Sequence, residues 1–207
     1  MPSHLRFVVL AAILALGACA GPPAPRETFH RLEIAPNAQR FASPPLAGVL
    51  EIDRVETEGV LAERAIAYQS GDGALQRYLY EFWSETPSLM LQDILARSLR
   101  AAGSAATVVT PDLRVPPDWT LKAKLRRFEH RPAAAQVVVR LEVAVMSARN
   151  GALLLLKDYD GDSAADATPA SVAPAMDRAL AEVIVRLVGD IGRLTPPAPS
   201  RPGADRP

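Results

Sequence analysis

Residues 119–131 read WTLKAKLRRFEHR and residues 136–147 read QVVVRLEVAVMS. In the first run Leu121, Ala123 and Leu125 alternate with Lys122, Lys124 and Arg126. In the second, Val137, Val139, Leu141, Val143 and Val145 alternate with polar positions that include Arg140 and Glu142. A period of two places successive side chains on opposite faces of an extended chain, so each run is a strand with one dry and one wet face. Asn150-Gly151 is a hairpin turn pair, and it leads the chain into Ala152–Tyr159, completing an antiparallel meander.

Upstream, the alternation in Gly48–Val55 predicts another strand. Ala65–Tyr68 and Arg77–Phe82 predict two short strands around the turn Ser70-Gly71-Asp72-Gly73, and Thr107–Thr110 predicts one more before a loop over Pro111–Pro117. Two segments switch to the helical period. In the first, Thr86 stands at the cap, Pro87 at the first helical position and Gly103 at the stop, and Leu91, Ile94, Leu95 and Leu99 form one stripe. The second follows Thr168-Pro169 and lines up Val172, Met176, Ala179, Val183 and Leu187; Pro174 must fall in its first turn or kink it. The expected fold is α+β: a mostly antiparallel sheet with two main helices packed on one face.

With 207 residues the chain has room for one such domain and its tails. Twenty-three Lys and Arg balance twenty-three Asp and Glu, which excludes a nucleic-acid binder relying on bulk positive charge. A single cysteine, Cys19, excludes an internal disulfide framework and a multi-cysteine zinc site. The nineteen prolines crowd toward the two ends, so the folded body is shorter than the chain. Residues 1–18 have a signal-peptide layout: Arg6, an apolar run from Phe7 to Leu16, then the small residues Gly17 and Ala18. That run is about ten residues, half of the roughly twenty that a membrane-spanning helix needs. Leu16-Gly17-Ala18-Cys19 resembles a bacterial lipobox, in which the cysteine thiol is acylated and becomes the new N-terminus. A plain secretory peptide in which Cys19 merely follows the cleavage site is the alternative. Ala20 stands where an inner-membrane retention signal has Asp, which by that sorting rule points to the inner leaflet of the outer membrane. Residues 19–27 read as a Pro-rich tether, residues 28–194 as the single folded domain and residues 195–207 as a disordered Pro-rich tail.

No catalytic constellation is evident. His30 and His130 lack a second imidazole or thiol at ligand spacing, and His130, between Glu129 and Arg131 at a strand end, reads as a solvated edge residue. Neither a nucleophile elbow nor a phosphate loop nor a dinucleotide fingerprint occurs. Asp158-Tyr159-Asp160-Gly161-Asp162 begins like a calcium loop. Ser163 and Pro169 then replace the turn glycine and the bidentate Glu, so an acidic strand end and loop is expected instead. No metal site and no cofactor are expected. The most aromatic stretch, Tyr78 to Trp83, runs into the first helix. Phe82 and Trp83, if extended, point to opposite faces, so one ring can pack the core while the other serves a partner. Phe82, Trp83 and Pro87 are the candidate partner-binding residues, with core packing of Trp83 as the competing reading.

Taken together, the lipobox, the early Phe29-His30-Arg31-Leu32 and the stretch Tyr80-Glu81-Phe82-Trp83-Ser84-Glu85-Thr86-Pro87-Ser88-Leu89-Met90 resemble the ABC-type transport auxiliary lipoproteins, over about residues 28–192. Phe29 stands where that family usually has Tyr. The resemblance implies a non-enzymatic lipoprotein on the periplasmic face of the outer membrane, lipid-anchored at Cys19. It would dock with an MCE-domain periplasmic protein of an ABC lipid transporter and bind no nucleic acid; a homo-oligomeric state stays open. Two rival readings are a free-standing lipid-binding lipoprotein and an envelope-assembly interaction module.

Overall fold

A computed structural model describes residues 25–35 and 39–194. Cys19, the signal peptide, most of the tether and the C-terminal tail lie outside the described residues. The strands, in chain order, are β1 (Thr28–His30), β2 (Leu46–Ile52), β3 (Ala65–Gln69), β4 (Leu75–Trp83), β5 (Ala105–Val109), β6 (Trp119–Arg131), β7 (Gln136–Ser147) and β8 (Leu153–Ala164). The helices are α1 (Pro87–Ala102) and α2 (Val172–Ile191).

β6 is the spine of a single eight-stranded sheet. One edge of it pairs with β7 along nearly its whole length, Trp119 opposite Ser147 and Arg131 opposite Gln136, and β7 then pairs with β8; this is the expected meander. Its other edge is shared. β2 runs parallel to the first part, with Leu50 opposite Trp119 and Ile52 opposite Leu121, and β3 runs parallel to the last part, with Ala67 opposite Glu129. Between them the chain stays in contact, as Asp53 N–H donates to Leu121 O, Glu56 N–H to Ala123 O and Leu125 N–H to Glu56 O. The full order is β1-β4-β3-β6-β2-β5, with β7 and β8 branching from β6.

The sheet is therefore mixed, which corrects the expectation of a mostly antiparallel one. β3–β4, β6–β7 and β7–β8 are antiparallel, whereas β1–β4, β2–β5, β2–β6 and β3–β6 are parallel. Alternation fixes which face a side chain takes but carries nothing about the direction of a distant partner. The connection between the parallel neighbours β2 and β5 runs through β3, β4 and α1.

Both helices press their apolar stripes into one core together with the inner residues of the sheet. Leu91, Ile94, Leu95 and Leu99 of α1 are buried, as are Val172, Met176, Ala179, Val183 and Leu187 of α2. Thr86 occupies the N-cap of α1 with extended backbone, but its side chain makes no capping bond; Gly103 closes the helix in the left-handed conformation and donates back to Leu99 and Arg100 carbonyls. Pro174 is the third residue of α2, inside the first turn, where no intrahelical N–H is missed. At Gly48 two demands coincide: φ is +89°, and the Asp118 carboxylate, which accepts from Val49 N–H at 2.9 Å, occupies the space a Cβ would need.

Gly161 sets the distance between β8 and α2. A Cβ there would stand 2.4 Å from the Ala179 carbonyl oxygen and 2.9 Å from a Val183 methyl. Gly161→Ala should therefore cost about 1–3 kcal/mol in urea unfolding, since the helix backbone cannot yield without moving the whole stripe. An unchanged midpoint would show that α2 does not rest on β8 at this point.

Candidate functional site

The chain leaves β4 between two clamps. Trp83 N–H donates to Arg64 O and Ser84 N–H to His30 O, both at 2.7 Å, while the Arg64 guanidinium returns bonds to the Trp83 and Ser84 carbonyls. Beyond the turn, Ser88 Oγ donates to Val55 O at 2.5 Å and Gln92 Nε2 to Ile52 O at 2.9 Å, which fixes the start of α1 over the end of β2. The junction is thus rigid on both sides. It points Phe82 and Trp83 to opposite faces, as the extended period requires.

Those two rings have different fates. Trp83 is 1% exposed and packs its ring 5.2 Å from that of Phe128. Pro87 is buried as well. Both are covered in the folded domain, where they hold the helix on the sheet, so their part in any partner contact is to present the neighbouring surface rather than to touch the partner. Phe82 lies half-buried on the outer face, stacked on Phe29 with centroids 5.6 Å apart, and the Arg64 guanidinium sits 5.3 Å over the Phe29 ring. Of the three residues singled out, only Phe82 contributes to the surface.

His130 also departs from expectation. It is fully buried rather than solvated, because β6 continues between β3 and β7 to its end. The Asp166 carbonyl can only accept, so His130 Nε2 carries the proton and donates to it at 2.8 Å; Nδ1 then accepts from the Tyr78 hydroxyl at 2.7 Å. Burial lowers the pKa of His130 below the ordinary imidazole value, opposed in part by the Asp166 bond. Tyr78, itself raised by burial, stacks on Tyr68 at 4.5 Å.

The acidic run at Asp158–Asp162 is not a loop but the middle of β8. Asp158, Asp160 and Asp162 lie opposite Glu142, Arg140 and Val138, and Asp160 pairs with Arg140. Carboxylates at alternate positions of a strand stand about 7 Å apart and cannot converge on one ion. Among the described residues no group of three or more His, Cys, Asp or Glu could hold a metal. Between them Tyr159 turns inward and donates to Asp190 Oδ2 at 2.9 Å, while Lys157 Nζ lies 2.7 Å from the same oxygen. Lys157 first, and Tyr159 second, depress the Asp190 pKa; burial, followed by the Asp190 carboxylate, raises that of the Tyr159 phenol. This cluster ties β8 to the end of α2.

The surface holds a groove of about 700 Å³ between residues 31–35 and α1, whose apolar floor of Leu32, Ile34 and Ile94 is rimmed by Arg31, Glu33 and Asp93. Sequence reasoning gave no signal for it, because its two walls are sixty residues apart in the chain. A smaller hollow, of about 390 Å³, lies over Ala65 beside Phe82. No described helix is long and apolar enough to cross a membrane.

A family model described as the ABC-type transport auxiliary lipoprotein component matches residues 30–188. Among solved structures, protein XCC0632 from Xanthomonas campestris, of the DUF330 family, superposes with a TM-score of 0.65 at 22% identity, covering 78% of this chain and 93% of that one. An uncharacterized protein of known crystal structure follows at a TM-score of 0.58 and 17% identity, over 82% of this chain and 98% of its own. These likenesses establish a shared fold. No curated protein is similar enough to match.

Two outcomes are expected. Trp83→Ala should destabilise the domain by about 3–5 kcal/mol in urea unfolding, and the folded fraction should keep its surface intact; a loss below about 1 kcal/mol would place the ring outside the core. For His130 the sign is set by the lowered folded pKa. The unfolded chain takes up a proton near pH 6.5 while the folded one resists, so the contribution is complete above that pH and falls away as pH drops through the window toward the folded value. His130→Gln should flatten the pH dependence of unfolding between about pH 7.5 and 5.5.

Proposed function

The chain belongs to the family of ABC-type transport auxiliary lipoprotein components, and from that membership we propose that it is a non-catalytic, lipid-anchored part of an ABC/MCE-type intermembrane lipid transport system. Cys19 carries the acyl groups, the body stands on the periplasmic face of the outer membrane, and it docks with the MCE-domain protein that conducts the lipid. The ATPase that drives transport is a separate chain. The observation that carries the reading is the coincidence of the family match over residues 30–188 with the Leu16-Gly17-Ala18-Cys19 sequence just ahead of it.

The geometry agrees with a docking body rather than a lipid carrier. The core is filled by interdigitating side chains from both helices and the sheet. The groove beside α1 carries charged residues on its rim, where an acyl chain would strip Arg31, Glu33 and Asp93 of water without replacing it.

Cys19→Ser should abolish labelling by radioactive palmitate and release the protein from the membrane fraction, because a hydroxyl cannot replace the thiolate that attacks the acyl donor. Labelling that survives the change would refute the anchor. Crosslinking of the wild-type chain in membranes should recover an MCE-domain protein; extraction of phospholipid by the delipidated body in its place would favour the free-standing carrier.

A further inference from the structure

The register of β3 against β4 is interrupted once. Ala65 lies opposite Phe82 and Ala67 opposite Arg77, so the single residue Ile66 faces four residues of β4, Tyr78 to Glu81. The surplus bulges out of the ladder, which re-aims side chains away from the sheet. Its outward residues are Leu79, 73% exposed, and Tyr80, 43% exposed. Phe82 and Leu79 together wall the hollow of about 390 Å³ over Ala65, and Phe29, 54% exposed, stacks on Phe82. Leu79, Phe82 and Phe29 thus adjoin one another at the β1–β4 edge of the sheet, with exposed Tyr80 beside Leu79 in the same bulge.

The same end receives the anchor. β1 runs parallel to β4 and covers it only from Glu81 to Trp83, through the pairs Thr28 with Glu81, Phe29 with Phe82 and His30 with Trp83. Followed backward from Thr28, the chain leaves in the direction of the start of β4. The exposed residues 25–27 take the first steps of that path. Cys19 precedes Phe29 by ten residues, and ten residues fully extended span at most about 36 Å. A body of this size is about 40 Å across. Acyl groups on Cys19 consequently hold Phe29 within about 36 Å of the bilayer, less than the width of the body.

We infer that the β4 bulge and its aromatic neighbours, Phe29, Leu79, Tyr80 and Phe82, form a membrane-contact surface that seats the domain on the lipid headgroup boundary, an inference that rests on the anchor at Cys19. Aromatic and aliphatic side chains backed by guanidinium groups suit that boundary, where rings lie at headgroup level and Arg stems reach back toward water. Arg64, stacked over Phe29, and Arg77, paired with Glu63, stand at its rim. The tether holds bilayer and surface together at high effective concentration, so a patch too small to bind vesicles alone suffices to set orientation. The surface fixes which face of the body turns toward the opposite membrane and hence toward the transporter.

The test uses the acylated full chain in vesicles of phosphatidylethanolamine and phosphatidylglycerol. Cys19 is the only native cysteine, and acylation consumes its thiol, so Leu79→Cys and, separately, Leu156→Cys each introduce one reactive site. Leu156 is comparably exposed, at 61%, but lies on β8, five strand positions from β1. An environment-sensitive fluorophore at 79 should shift to the blue and be quenched several-fold more strongly by lipid spin-labelled near the headgroup than the same probe at 156. Equal quenching at the two positions would overturn the inference, as would a probe at 79 shielded only when the transporter's periplasmic partner is added. Flotation of the unmodified chain separates the two levels: a chain that does not float refutes the anchor and this surface with it, whereas one that floats without the contrast refutes the surface alone.

Discussion

Every N–H and C=O of a buried strand must find a partner, and β6 is the strand on which this requirement falls hardest. It is thirteen residues long and pairs on both edges. On one side a single long strand, β7, answers the demand. On the other, three successive pieces of the chain do so: β2, the extended segment at Asp53 and Glu56, and β3. Because β2 and β3 must share that edge head to tail, the residues between them loop out and return. The place where β3 returns decides where β4 and then β1 can stand.

The consequences reach the β4–α1 junction. β3 is short, yet β4 must pair with it and still deliver Trp83 to the core above Phe128. The bulge from Tyr78 to Glu81 takes up the difference. It leaves Tyr78 facing inward, where its hydroxyl satisfies buried His130, and turns Leu79 and Tyr80 to solvent. One irregularity thus serves a buried polar network on one face and an apolar surface on the other. Glu129, also buried, accepts from Nε and Nη2 of Arg127 and from the N–H of Phe128, so the charge taken out of water at the end of β6 is hydrogen-bonded rather than bare.

A body of this kind suits an auxiliary transport component. Its helices occupy the inner face of the sheet and fill the core, and its ionic side chains are largely engaged in cross-strand or strand-to-helix pairs such as Arg126 with Glu142 and Lys157 with Asp190. Among its exposed apolar groups are Phe29 and Leu79 on β1 and β4 and Leu153 and Leu156 on β8, at opposite margins of the sheet.

The sequence by itself determined the local matters: element type, the dry and wet faces of β6 and β7, the extent of α1 between Thr86 and Gly103, the meander through Asn150-Gly151, and the Cys19 pattern that points to an anchor. Each is written in periodicity, turn chemistry or a short motif, all of which act within a few residues. Only the tertiary structure decided that four of the seven strand pairings are parallel, that Asp158, Asp160 and Asp162 lie in a strand, that His130 is buried and that Trp83 and not Phe82 belongs to the core. Alternation assigns two adjacent rings to opposite faces without saying which face is covered. That depends on β6 and on the helices folded over it, and a strand's partner, its direction and its bulges are set by backbone groups tens of residues away.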